Sequence, residues 1–300
     1  MTIVIAGGSG FLGRKLARYL ESQGHRTLTL SRRPNPSGGA GPVIPWQPDG
    51  SAGALARHLE GIDAVVNLAG EGLADNRWTE NRKAAIRQSR ILATRTLVRA
   101  VAECAHPPRV FVSGSAIGYY GPRGDEPITE ADTPGSDFLA TVCVEWENEA
   151  RPVASPSTRL VIIRTGLALS GDGGALAKML LPFKLGLGAT LGSGTQYMSW
   201  IHVDDWTAMV SWAIQSERLL GALNVTAPEP VTNRGFTRTL GRVLKRPALL
   251  QAPAFVLQAA MGEMATMILT GQRVLPARAE QLGFRFTHRL LEPALRSLNL

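Results

Sequence analysis

The stretch TIVIAGGSGFLG, residues 2–13, decides the fold. Its first five residues are mostly apolar and largely β-branched, the signature of a buried strand. Glycines follow at once, and then Phe11, Leu12, Leu16, Tyr19 and Leu20 recur at helical spacing until Gly24, where a helix would stop. Residues 26–30 (RTLTL) read as the next strand, so strand, tight turn, helix and strand fit a βαβ unit. Gly7, Gly10 and Gly13 stand in a G-x-x-G-x-x-G spacing at the turn. Glycine tolerates positive φ and lets backbone approach a pyrophosphate. The free N–H groups and positive dipole end of the helix then favour the phosphates. Gly7, Ser9, Gly10, Phe11, Leu12 and Gly13 are the expected phosphate cradle; the bland alternative is a merely structural glycine turn.

At the end of the second strand an NAD site would place Asp or Glu on the ribose 2′-hydroxyl. This chain has Ser31-Arg32-Arg33 instead. A carboxylate would repel a 2′-phosphate, whereas a hydroxyl and a guanidinium fork accept it through charge-assisted bonds. Ser31 and Arg32 therefore point to NADP(H) over NAD(H), unless the arginines are only exposed surface residues.

Further strands are expected at 62–68 (IDAVVNL), 109–113 (RVFVS) and 159–165 (RLVIIRT), with a short one at Val43 and Ile44 inside a Gly- and Pro-rich loop spanning 34–53. Their near-continuous apolar character suits a parallel sheet covered on both faces. Helices are expected at about 79–104 and 139–151. The predicted architecture is α/β, a Rossmann-type doubly wound parallel sheet with a smaller, mainly helical C-terminal lobe. Residues 1–227 form the nucleotide-binding domain, with 170–194 contributing to the small lobe, and 228–300 form the C-terminal domain. No repeat and no low-complexity linker interrupts it.

The totals exclude other classes. No apolar run approaches the roughly 20 residues needed to span a bilayer, and the first residues lack the pattern of a signal peptide. Two cysteines, Cys104 and Cys143, cannot form a disulfide framework, which suits a reducing cytoplasm. The net charge is +8, but 27 of the 32 basic residues are Arg and no run of five occurs. A solvated basic surface is the expectation, with neither nucleic acid nor membrane as partner. A small-molecule substrate is expected, and a homodimer is left open. The five His, at 25, 58, 106, 202 and 288, show no metal-ligand spacing, so no metal site is expected. His202, in SWIHVDDW, is read as structural, with Asp204 or Asp205 capping the helix that follows.

With these residues placed, the chain resembles the extended short-chain dehydrogenase/reductases. More narrowly, it is similar to the atypical epimerase family that carries a C-terminal domain of unknown function of the DUF1731 type. Bacterial members are often labelled nucleoside-diphosphate-sugar epimerases or cell-division inhibitors, and animals have a counterpart. The matching motifs run in order through the chain: GGSGFLG at 7–13, NLAGE at 67–71, RW at 77–78, SR at 89–90 and SGSAIGYYG at 113–121. RTGLAL at 164–169, MLLPFKLGLG at 179–188, GSGTQYMSWIHVDD at 192–205, GQRVLP at 271–276 and GFRF at 283–286 complete them. The resemblance implies that Leu68, Ala69 and Gly70 line the cofactor's ribose and pyrophosphate, that Arg90 lies near the same cleft, and that Gly166, Leu167 and Ala168 pass the nicotinamide.

Typical members use a Tyr-x-x-x-Lys pair, in which the ammonium lowers the phenol's pKa so that it can exchange a proton with substrate. Aligning GSDFLATVCVEWE (135–147) puts Phe138 and Val142 at those positions, and neither titrates. Ser115 survives at the position that hydrogen-bonds a substrate carbonyl or hydroxyl, and Tyr119 and Tyr120 follow it at a strand's carboxyl end. Ser115, Tyr119 and Tyr120 are the candidate catalytic residues. One of the two phenols would be proton donor or orienting hydrogen-bond donor, unless both pack the loop. The leading expectation is an NADP(H)-dependent oxidoreductase on an unidentified small molecule. A nucleotide-sugar epimerase and a non-catalytic cofactor sensor are the rivals.

Overall fold

A computed structural model describes residues 1–32 and 41–300; Arg33 lies outside the described residues. Seven strands form the central sheet: β1 (Thr2–Ala6), β2 (Arg26–Ser31), β3 (Val43–Pro45), β4 (Ala64–Asn67), β5 (Val110–Ala116), β6 (Arg159–Thr165) and β7 (Gly221–Val225). They are parallel throughout, in the order β7-β6-β5-β4-β1-β2-β3. The order reverses between β1 and β4, so a crevice opens at their carboxyl ends, where open α/β sheets take ligands.

Alternation along each strand feeds two cores. Ile3, Ile5, Val110, Val112, Val161 and Ile163 face α1 (Phe11–Ser22) and a helix at Val203–Gln215, meeting Leu16, Leu20, Trp206 and Met209. Val4, Ala6, Val65 and Phe111 point the other way. They meet Ala93 and Leu97 of α2 (Glu80–Ala102) and Ala150 at the end of α3 (Phe138–Ala150). Thr79 and Asp137 start these last two helices, accepting the amides of Arg82 and Ala140. The doubly wound sheet is therefore as expected, and the periodicity placed its main strands within a few residues.

The small lobe has its own core, in which Leu176, Leu180 and Phe183 of α4 (Gly174–Lys184) meet Trp200, Phe236, Leu240 and Leu295. The last three belong to or adjoin α6 (Asn233–Leu244) and α8 (Leu291–Ser297), which follow α5 (Val203–Gln215) and α7 (Ala254–Met261). The lobe is less purely helical than its sequence suggests. Short strands at Ala189–Leu191 and Leu250–Ala252 pair in parallel, and Tyr197–Met198 pairs with Val231–Thr232. Runs of two or three residues are too short to leave a periodic signature. After α7 the chain returns to the sheet: Phe284 and Phe286 pack on the first core and Arg278 donates to the carbonyl of Ala222. No helix among the described residues is long and apolar enough to cross a membrane.

Candidate functional site

The glycine turn has no room for a side chain at Gly7, Gly8 or Gly13. Gly7 sits at φ +80°, and a Cβ there would lie 2.7 Å from the carbonyl of Leu68. A Cβ on Gly13 would come within 2.2 Å of the carbonyl oxygen of Gly7, so the first turn of α1 must press directly on the loop. The amide of Gly10 donates to the carbonyl of Gly7 at 2.9 Å, closing the bend, and no side chain among the described residues caps α1. The helix thus presents bare N–H groups to the crevice.

A cavity of about 450 Å³ lies there, a size suited to a cofactor or substrate. Of the expected residues, Gly7, Ser9, Gly10, Ser31, Arg32, Leu68, Ala69 and Gly70 line it. Phe11, Leu12 and Gly13 stand behind it. Phe11 fills the space where Cβ atoms on Gly173 and Gly174 would be, tying the turn to the small lobe. Gly166, Leu167 and Ala168 do not line this cavity. Gly166 leaves β6 between the carbonyl of Ser199 and the side chain of Thr226, and Ala168 lies over Gly174, beside the Phe11 ring. Arg90 lies beneath Gly70, where its Nη atoms donate to the carbonyls of Ile86 (2.8 Å) and Glu71 (3.1 Å). Its guanidinium rests 5.3 Å from the Trp146 ring, and burial holds its pKa below the ordinary arginine range. It braces the loop from within.

Sequence reasoning missed Trp46, which also lines the cavity. Its amide donates to the carbonyl of Ser31, and the register Ser31 opposite Pro45 brings it beside Arg32. The signal was the β-branched pair Val43-Ile44 just before it, which predicts a strand ending there.

The three catalytic candidates have diverged. The hydroxyl of Ser115 donates to Glu147 at 2.7 Å, and Arg164 grips the same carboxylate through Nε and Nη2, each at 2.9 Å. Arg164 Nη1 donates to the Tyr120 hydroxyl (2.9 Å), which donates to Asn224 (2.7 Å). Tyr120 is fully buried, and that burial pushes its pKa up to about 12, with Arg164 offsetting only part of it. Tyr119 differs. Its half-buried ring packs 3.4 Å from the Arg164 guanidinium carbon, and among the described residues its hydroxyl has no hydrogen-bond partner.

Phe138 does stand in the first turn of α3, packed edge-on to Trp78 at 5.2 Å, and Val142 is buried. A cation nonetheless reaches Phe138 from a different helix. The ammonium of Lys83 lies 5.1 Å from its ring centroid and pairs with Glu263 of the small lobe at 3.0 Å. Lys178 likewise bridges the lobes, pairing with Asp75 at 3.5 Å, while Lys184 stays on the surface.

His202 is buried, and it is His202 itself that caps α5, its Nδ1 accepting the amide of Asp204. Asp205 instead accepts the amides of Thr287 and His288. His202 stacks on His288 at 3.8 Å, and the ligand atoms of His202, Asp204 and His288 lie within 4.8 Å of one another. Stacked rings direct their lone pairs along parallel planes, and one lone pair is already engaged in the cap. Cys104 and Cys143 are both free thiols.

A doubly wound parallel sheet with a glycine turn at its switch point defines the dinucleotide-fold class of proteins. Comparison with known proteins narrows this. The chain belongs to the NAD dependent epimerase/dehydratase family, whose model matches residues 3–225, and a domain of unknown function, DUF1731, matches residues 252–298. The resemblance drawn from the motifs is thus borne out. The epimerase family protein YfhF of Bacillus subtilis is 40% identical over 300 residues, covering 99% of this chain and 98% of that protein. The crystal structure of human epimerase family protein SDR39U1 with NADPH is 35% identical, with a TM-score of 0.92 and 99% of each chain covered. A nucleoside-diphosphate sugar epimerase from Corynebacterium glutamicum, also 35% identical, has a TM-score of 0.80 and covers 99% of this chain but 58% of that one.

Proposed function

We propose that this protein binds NADP(H) at the β1–α1 turn and moves hydride between the nicotinamide and a small molecule. The carrying observation is that the glycine turn and the Ser31-Arg32 pair line one cavity. The first accommodates pyrophosphate, and the second suits a 2′-phosphate, with no carboxylate at the end of β2. The NADPH in the human relative supports the same reading. Gly7, Ser9 and Gly10 would hold the pyrophosphate, Leu68 to Gly70 the ribose side, and Gly166 to Ala168 the approach to the nicotinamide. When bound, the cofactor supplies the hydride chemistry; the chain supplies orientation and electrostatics.

Of the two phenols, Tyr119 is assigned the proton or orienting hydrogen bond. Its hydroxyl is uncommitted among the described residues, and its ring is held in place against the Arg164 guanidinium. Tyr120 and Ser115 serve the buried network. Epimerisation through a Tyr-x-x-x-Lys pair finds no support in Phe138 and Val142. A non-catalytic cofactor sensor is favoured by one observation, the commitment of Ser115 to Glu147. Steady NADPH consumption with any member of a panel of aldehydes, ketones and enones separates the readings; binding without turnover across the panel supports the sensor. The two free thiols support the cytoplasm as its compartment.

A further inference from the structure

The chain's positive balance is concentrated. Residues 173–203 and 230–262 hold seven Lys and Arg and no Asp or Glu, so the rest of a chain with net charge +8 is close to neutral. The same two segments hold seven of the eleven large apolar side chains exposed among the described residues.

The two segments meet along their exposed stretches. Leu250 pairs with Ala189 across the short parallel strands, and a Cβ on Gly186 would lie 3.7 Å from the ring of Pro247. Leu185 and Leu187, at the end of α4, therefore adjoin Leu249, which is 91% exposed. The strand runs on into α7, an apolar helix with no buried residue, whose Phe255 is 72% exposed. Around these side chains Lys184, Lys245 and Arg246 are exposed and make no ion pair among the described residues. The acidic groups at its margins are paired: Asp75 with Lys178, Glu292 with Arg242, and Glu263, just after α7, with Lys83.

Protruding leucines beside free cations, with an exposed phenylalanine further along the same stretch, have the chemistry of a membrane-surface contact. The apolar tips enter the acyl boundary while lysine and arginine stems reach the headgroups. A second copy of this chain is a poor occupant, because a two-fold contact would set these cations against each other. We propose that this face of the small lobe docks on a bilayer containing anionic phospholipid, with Leu185, Leu249 and Phe255 inserted and Lys184, Lys245 and Arg246 at the phosphates. The contact is peripheral and crosses nothing.

Co-sedimentation of the full chain with phosphatidylglycerol/phosphatidylcholine vesicles tests this. Binding should be at least about tenfold weaker to phosphatidylcholine alone, and it should decline as salt rises. The double variant Leu249→Ser/Phe255→Ser and the double variant Lys184→Glu/Arg246→Glu should each lose binding while keeping the wild-type unfolding midpoint. Leu220→Ser, an exposed leucine outside the face, should bind as wild type. No sedimentation with either vesicle, or equal binding by the variants, overturns the proposal. So does concentration-dependent self-association that Leu249→Ser abolishes in the absence of vesicle binding.

Discussion

The carboxylate of Glu147 receives the guanidinium of Arg164 through two bonds of 2.9 Å, with 1% and 4% of the two side chains exposed. Glu147 comes from α3 and Arg164 from β6, so the pair ties a helix to the sheet beneath it. Ser115, Tyr120 and Asn224 extend it across β5, the following turn and β7. Two charges removed from water hold only while both are present. Replacing Glu147 with Ala leaves Arg164 charged, buried and unpaired, and should lower stability by about 3–5 kcal/mol. Urea unfolding with an unchanged m-value checks it; a loss below about 1 kcal/mol would show the pair to be well solvated.

The two phenols should separate by measurement. Tyr120→Phe removes an acceptor from Arg164 and a donor from Asn224, so its effect should be on stability, about 1–3 kcal/mol. Tyr119→Phe should leave stability nearly unchanged and lower the NADPH turnover rate by about a hundredfold, the contribution typical of a positioned proton donor. Equal turnover in wild type and Tyr119→Phe removes this residue from the reaction.

Arg32 should set the choice of cofactor. Arg32→Ala removes a charge-assisted contact worth about 1.5–3 kcal/mol, so affinity for NADPH should fall roughly tenfold to a hundredfold. Affinity for NADH, which has no 2′-phosphate, should stay the same. Parallel fluorescence titrations of the two cofactors decide it, and equal weakening of both would place Arg32 elsewhere in the site.

His202 makes stability depend on pH. Burial, and then the neighbouring His288, hold its pKa below the usual 6.5. The unfolded chain therefore binds a proton that the native chain refuses. The stabilisation is complete above about pH 6.5 and is lost progressively as pH falls below it, down to the depressed native value. His202→Asn keeps a side chain able to cap α5 and should flatten the unfolding midpoint across that window. An unchanged slope would assign the titration to another group.

Much of this was legible in residues 2–13, because a buried strand, a glycine turn and an amphipathic helix are each written in local spacing. Ser31 and Arg32 were legible as cavity-lining residues for the same reason, since both stand at one strand's end. What escaped was non-local. Ser115, Glu147, Arg164, Tyr120 and Asn224 come from β5 through β7, and no periodicity relates a carboxylate in α3 to an arginine in β6. His288 meets His202 only because the chain returns to the sheet after α7. Lys83 reaches Phe138 from a separate helix, so a search for a lysine at fixed spacing finds Val142 instead. Gly166 to Ala168, carried over by resemblance, are half-buried and do not line the cavity beside the glycine turn.

Isothermal titration of the purified protein with NADPH tests the central claim most directly. The account predicts saturable binding of one molecule per chain at micromolar affinity or better, much weaker for NADH and abolished by Gly13→Ala, whose methyl has no space behind the turn. The absence of any heat of binding at millimolar NADPH would contradict it.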